Sequence, residues 1–256
     1  MTVCAGECGS ALEFVGVDQA TLTSAPPADT DLSGIAQLHA RTGSGQRFWV
    51  MPLTGARCPV ILRPMPRPSL KEQIVVAALE TLHRKGFNAT SVQDITDAAE
   101  APKGSFYNHF GSKEDLAVEA LDRYWQRILG SLKSLSDEKV PPLPRLRAYF
   151  SRLSRIASAA DYSSGCFVGN MSVEMSNQSR MVRERLALIL AAWTRAITSC
   201  VREAQADGSV RQDADAKIIA EFLLNSWEGA VLRSKVDKDA VPLDTFEKVT
   251  FDLLLK

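Results

Sequence analysis

Apolar and polar positions follow no steady period in the first quarter of the chain. From Ser69 onward they follow a helical one. Residues 1–66 hold two short apolar pieces, ALEFVGV and RFWVMPL, with no clear partners. Around them lie TSAPPADTDLSG and ARTGSGQ, rich in Pro, Gly, Ser, Thr and Asp. Such composition buries too little apolar surface to offset chain entropy. Residues 1–66 are therefore expected to be a disordered extension, or residues mis-annotated ahead of a start at Met65 or Met51.

SLKEQIVVAALETLHRKGF predicts a helix. Ser69 can cap it with Glu72 three residues on, Ile74, Val75, Ala78, Leu79 and Leu82 make one apolar face, and Gly86 ends it. TSVQDITDAAEA predicts a shorter helix capped by Thr90 or Ser91, with Val92, Ile95 and Ala99 inward. After a break at EAP, KGSFYNHF predicts a third. GSKEDLAVEALDRYWQRILGSL predicts a long fourth, capped at Ser112, with Glu114 and Asp115 at its positive end. The rest reads as helix throughout: PRLRAYFSRLSRIASAA, GCFVGNMSVEMSN, SRMVRERLALILAAWTRAITSCVREAQADGSV, DADAKIIAEFLLNSWEGAVLRSKVDK and PLDTFEKVTFDLLLK. No strand-like alternation is long enough to matter, and no segment repeats. The expected fold class is all-α.

Two short helices joined by a tight break have the shape of a helix-turn-helix, whose second helix must enter a major groove. KGSFYNHF suits that task. Phe106 and Phe110, four apart, can anchor it, and Lys103, Ser105, Tyr107, Asn108 and His109 are left for the outside. Pro102 is tolerated at the start, and Gly104 permits close approach to a duplex.

The run TSVQDITDAAEAPKGSFYNHFGSKEDL, preceded by ALETLHRKGFNAT, resembles the N-terminal domain of the TetR family of transcriptional regulators from about Glu72 to Leu116. One departure is AEAP where AGVS is more usual, which puts Glu100 and Pro102 in the turn and at the start of the recognition helix. The resemblance implies a three-helix DNA-binding domain over 67–125 and a helical effector-binding and dimerisation domain over 126–256. It implies a homodimer made mainly by the last two long helices, and double-stranded operator DNA and a small-molecule effector as partners. The candidate DNA-binding residues are Thr90, Ser91, Lys103, Gly104, Ser105, Tyr107, Asn108, His109 and Lys113. Lys103 and Tyr107 are expected at phosphates, Ser105 and Asn108 nearer base edges, and Lys113 reinforces the positive field at a helix start. Tyr107 could instead be a half-buried core ring, and His109 a packing or capping residue. For the dimer interface the apolar strips offer Ile219, Phe222, Leu223, Trp227 and Val231, then Phe246, Val249 and Leu253. The alternative is that both strips fill an intramolecular core.

Charge does not sharpen this picture. The chain carries 30 basic and 30 acidic residues and a formal net charge of +0. No block is a basic tail, so any contact with phosphate depends on local placement. The five cysteines, Cys4, Cys8, Cys58, Cys166 and Cys200, are too scattered for a disulfide framework and suit a reducing cytoplasm. No metal site, cofactor, signal peptide or membrane span is expected.

DYSSGCFVGNMSVEM places Cys166 at a helix start, where the dipole would lower a thiol's pKa. A subset of TetR-like regulators is similar here, and some of those respond to reactive electrophiles or small unsaturated acids; the resemblance would make Cys166 a sensor. A buried, inert cysteine is the plainer reading. Met171, Met175, Trp193 and Phe150 could line an apolar effector pocket or be ordinary core. No catalytic motif is present, so the protein is expected not to be an enzyme but a sequence-specific repressor released from a palindromic operator by an effector or by thiol modification. The alternative is a helical dimeric interaction module without DNA binding.

Overall fold

The computed structural model describes residues 69–255 in full and, before them, only the backbone of four short strands. The chain divides into two units, Met1–Pro68 and Ser69–Lys256.

In the first unit β1 (Thr2–Cys4), β2 (Leu38–Arg41), β3 (Arg47–Met51) and β4 (Pro59–Pro64) pair antiparallel in the order β1-β4-β3-β2. No strand was expected here. RFWVM and PVILRP supply the β-branched and aromatic residues that favour pleated pairing, with Val50 opposite Leu62 and Trp49 opposite Arg63. RFWVMPL has no partner within its own stretch of sequence, because its partners are the separate segments Leu38–Arg41 and Pro59–Pro64. The expectation of a disordered or mis-annotated extension otherwise falls on residues outside the described ones.

The second unit is entirely helical among its described residues, as the periodicity predicted. Its elements are α1 (Leu70–Lys85), α2 (Val92–Ala98), α3 (Lys103–Tyr107), α4 (Lys113–Leu132), α5 (Pro142–Ala159), α6 (Phe167–Met175), α7 (Arg180–Ala206), α8 (Ala216–Asp237) and α9 (Val241–Val249). A 3-10 turn follows α4 at Lys133–Ser136, and a π turn follows α9 at Thr250–Leu254. Local chemistry sets many of the starts. Ser69, Ser91, Ser112, Ser179 and Asp215 accept backbone N–H groups from the first turns of α1, α2, α4, α7 and α8.

α4 ties α1–α3 to the rest of the helical unit. It packs on α1 and on α7. Leu116, Ala117, Ala120 and Leu121 lie buried toward its start, with Trp125, Ile128 and Leu132 further along. An aromatic chain continues from it. Trp125 stands 6.2 Å from Trp193, Trp193 5.9 Å from Trp227, Trp227 6.4 Å from Phe150, and Phe150 5.2 Å from Phe246. The Trp193 indole N–H is satisfied by the Tyr149 hydroxyl at 2.7 Å. These rings join α4, α7, α8, α5 and α9 in one core, so displacing α4 requires repacking it.

The interface strip divides. Leu223, Trp227, Val231 and Phe246 are buried within the single chain, as is Ile219, whereas Phe222, Val249 and Leu253 are exposed. For the four buried residues of the interface set, the intramolecular core is therefore the correct reading. No helix among the described residues is long and apolar enough to cross a membrane.

Candidate DNA-reading surface and effector cleft

α2 and α3 are held by a turn of defined geometry. Ser91 and Asp94 form a reciprocal capping box: the Asp94 N–H donates to Ser91 Oγ at 3.0 Å, and the Ser91 N–H donates to Asp94 Oδ2 at 2.8 Å. Lys85, from the end of α1, reaches Asp94 Oδ1 at 2.8 Å. Lys85 first and Ser91 second hold the Asp94 carboxyl well below the usual carboxylate range. At the other end of α2 the chain turns through Glu100 at φ 52°, the left-handed region that favours glycine. The Ala101 N–H closes the turn on the Thr96 carbonyl at 2.9 Å.

α3 is anchored by Phe106 and Phe110, 0 % and 4 % exposed, whose ring centroids lie 5.4 Å apart. This fixes its outer face. Lys103, Gly104, Tyr107, Asn108 and His109 are all exposed, Tyr107 to 62 %. A Cβ built at Gly104 would meet nothing within 4 Å, so the backbone there is open to an approaching surface. Tyr107 is therefore not a half-buried core ring.

Three of the candidate contacts face the wrong way. Ser105 is buried and donates back to the Pro102 carbonyl at 2.6 Å, so it is not positioned at a base edge. Thr90 is 1 % exposed and donates to the Gly86 carbonyl at 2.6 Å, and the cap of α2 is Ser91. Lys113 is turned inward. Its Nζ donates to the Phe87 and Thr90 carbonyls at 3.0 and 2.8 Å and sits 4.0 Å from the Phe87 ring centroid. It clamps the α1–α2 loop to α4, with two of its three N–H donors taken by carbonyls. Ser91 stays exposed, but its hydroxyl is engaged by Asp94.

A cleft of about 370 Å³ opens between the end of α1, the start of α6 and the second half of α8. Its wall on α1 includes His83, whose Nε2–H donates to the Gly165 carbonyl at 2.9 Å. Burial, partly opposed by that hydrogen bond, keeps the imidazole pKa below its ordinary value. Deeper lies Cys166, the N-cap of α6, beside Glu228 of α8 and 3.9 Å from the Tyr124 hydroxyl of α4. Burial first, and the Glu228 charge second, push the Cys166 thiol well up. The expected lowering by the helix dipole is overridden, because a thiolate there would be both desolvated and next to a carboxylate. Burial pushes Glu228 itself up to about 7. Gly169 makes the close approach possible, since a Cβ on it would lie 2.5 Å from Glu228 Oε2.

Of the five residues expected around an effector, only Cys166 lines this cleft. Phe150, Met171, Met175 and Trp193 are core residues, none more than 1 % exposed. The sequence did not reveal His83, Glu228 or Lys235 as neighbours of Cys166, because they come from helices far apart in the chain.

With this geometry in place, known proteins give the context. Residues 74–120 match the family described as bacterial regulatory proteins, tetR family, and residues 142–250 match the tetracyclin repressor-like C-terminal domain. The HTH-type transcriptional repressor DhaR of Mycobacterium sp. (strain GP1) is 38 % identical over 192 residues, which is 75 % of this chain and 95 % of that one. The chain belongs to the TetR family. The transcriptional regulator AcuR of Cereibacter sphaeroides is 36 % identical over 190 residues, covering 73 % of this chain and 86 % of its own. A crystal structure of a regulatory protein TetR from Rhodobacter sphaeroides superposes with a TM-score of 0.69 at 32 % identity, over 72 % of this chain and 98 % of that one. Like them, this TetR-family member is a DNA-binding transcriptional regulator, and its helix-turn-helix lies inside the first matched segment.

Proposed function

We propose that the protein is a homodimeric repressor that reads a palindromic operator and is released from it by a small molecule held in the helical second domain. The observation that carries this reading is the outer face of α3 and the turn after it, where Lys103, Tyr107, Asn108 and His109 stand exposed around the anchors Phe106 and Phe110. Lys103 and Tyr107 suit phosphates, and Asn108 can pair with a base edge. His109 adds a polar tip beside them.

Dimerisation is supported by α8. Ile218, Phe222, Leu232 and Val236 are 64 %, 49 %, 58 % and 73 % exposed. With Asn225 and Gly229 they are spaced by alternating steps of four and three, the period of a helix seam. Val249 and Leu253 add exposed apolar surface after α8. A two-fold through this seam would present two copies of α3 to half-sites about 34 Å apart. Repression follows the name of DhaR, a transcriptional repressor. Release by a reversible ligand is preferred to thiol modification, because Cys166 is 4 % exposed and its thiolate is disfavoured.

The test is selection of bound DNA from a random pool. A palindrome with half-sites about one turn apart is expected. Recovery of no shared sequence at moderate salt would refute the reading.

A further inference from the structure

The cleft between α1, α6 and α8 has features that packing alone does not require. Glu228 Oε1 is buried without a hydrogen-bond partner among the described residues. A buried polar atom left unpaired costs stability, and it persists where something else can satisfy it. Gly169 sits in the first half of α6, where alanine would be a better helix former. Its missing Cβ is the space in which the Glu228 carboxyl rests.

The field in the cleft is positive. Both charges that act on His83 are cationic, Lys235 and Arg127. Lys235 and Arg84 line the cleft and have no ion-pair partner among the described residues. Lys85, also on the wall, is paired with Asp94. Of the two acids, Glu174 accepts two hydrogen bonds from Asn88, and Glu228 is driven toward its neutral form by burial. Between these polar ends lie Val173, Val231 and Leu232. The volume falls at the small end of ligand pockets.

We infer that this cleft binds a small organic acid, with its carboxylate at Lys235 and Arg84, its short apolar body against Val231, and Glu228 supplying the remaining hydrogen bond. This deepens the effector reading and rests on it for the consequence. The cleft is walled on one side by α1 of the DNA-reading end and on the other by α8 of the proposed dimer seam. A ligand seated there contacts both, and can favour one spacing of the two α3 helices over another.

The test uses the full chain without DNA. Hexanoate and benzoate are titrated by calorimetry and thermal melting at constant ionic strength, beside hexanamide, benzamide and hexylamine. At least one acid is expected to bind and raise the melting temperature, with its amide and the amine inactive. Lys235→Met should weaken that acid about tenfold, the scale of one partly exposed charge contact, and Lys235→Arg should restore it. Lys217→Met, on the same helix and paired with Glu221, should leave binding unchanged. The inference is overturned if neither acid binds, if amide or amine binds equally, or if Lys235→Met has no effect. The selected operator separates it from the broader reading. Acids that bind in a Lys235-dependent way without releasing DNA would uphold the site and refute its effector role. Release by other compounds, equal in wild type and Lys235→Met, would uphold effector control and refute this site.

Discussion

The backbone N–H of Asn88 donates to the Glu174 carboxylate at 2.9 Å, and the Asn88 side-chain amide reaches the same oxygen at 3.3 Å. These bonds fasten the loop between α1 and α2 to α6. Gly86, at φ 88°, leaves the room, since a Cβ there would lie 2.5 Å from Glu174 Oε1. The pair is exposed, so Glu174→Ala should cost only about 1 kcal/mol of stability. Its larger effect should be local. Amide exchange at residues 87–90 should accelerate while α7 keeps its protection. Unchanged exchange in the loop would show that the carboxylate does not hold it.

Lys113 and Lys103 are predicted to behave oppositely. Lys113→Met removes donors from two carbonyls of the α1–α2 loop and should lower stability by roughly 1–3 kcal/mol. It should leave the salt dependence of DNA binding unaltered. Lys103→Ala, at an exposed position, should leave the melting temperature in place and reduce the salt slope by about one. A reduced slope in Lys113→Met would return that lysine to the phosphates.

The helices were legible because their caps and apolar faces are local. Ser69, Ser91 and Ser112 announce α1, α2 and α4 within four residues of sequence. Side-chain direction was less legible. Thr90 and Ser105 are polar and lie in a DNA-reading motif, yet short hydroxyls bond readily to carbonyls three or four residues back, and both do so here. α8 is apolar on more than one face, so period alone did not separate the buried Trp227 from the exposed Phe222. The cleft was not legible at all. His83 meets Gly165, and Glu228 meets Gly169, only after α1, α6 and α8 have packed.

Glu100 departs from glycine at a position whose φ is 52°. A side chain in that region costs on the order of 1 kcal/mol, because its Cβ crowds the following carbonyl. The turn's hydrogen bonds use only backbone atoms, Glu100 N–H to the Asp97 carbonyl and Ala101 N–H to the Thr96 carbonyl. Glu100→Gly should therefore keep the turn and raise stability by at most about 0.5 kcal/mol, once the greater freedom of glycine in the unfolded chain is set against the relieved strain. A fall in the denaturation midpoint would mean that the Glu100 side chain contributes more than its backbone strain removes.

Dimerisation should separate Phe222 from Trp227. Phe222→Glu places a charge in the exposed seam of α8 and should give a folded monomer by sedimentation, with unaltered helical content. Trp227 packs on Trp193 and Phe150, so Trp227→Ala should cost about 3–5 kcal/mol in the subunit itself. A dimer that survives both Phe222→Glu and Leu232→Glu would put the interface elsewhere.

Stability should depend on pH through Glu228. Burial raises its carboxyl from an ordinary 4.5 to about 7. Cys166, the N-cap of α6, and Tyr124 of α4 lie beside it, and His83 of α1 and Lys235 of α8 line the same cleft. Between those two values the folded chain keeps a proton that the unfolded chain has released. The stability tied to the neutral carboxyl is thus complete below pH 4.5 and is lost as pH rises through 7. The shift corresponds to at most about 3 kcal/mol. Glu228→Gln keeps the shape and cannot ionise. It should match wild type near pH 4 and exceed it near pH 8, the gap opening between pH 4.5 and 7 and levelling off above. The contribution of His83 is common to both proteins and cancels in the comparison. Denaturant melts at the two pH values measure the gap, and an equal gap at both would show that Glu228 ionises in the cleft without penalty.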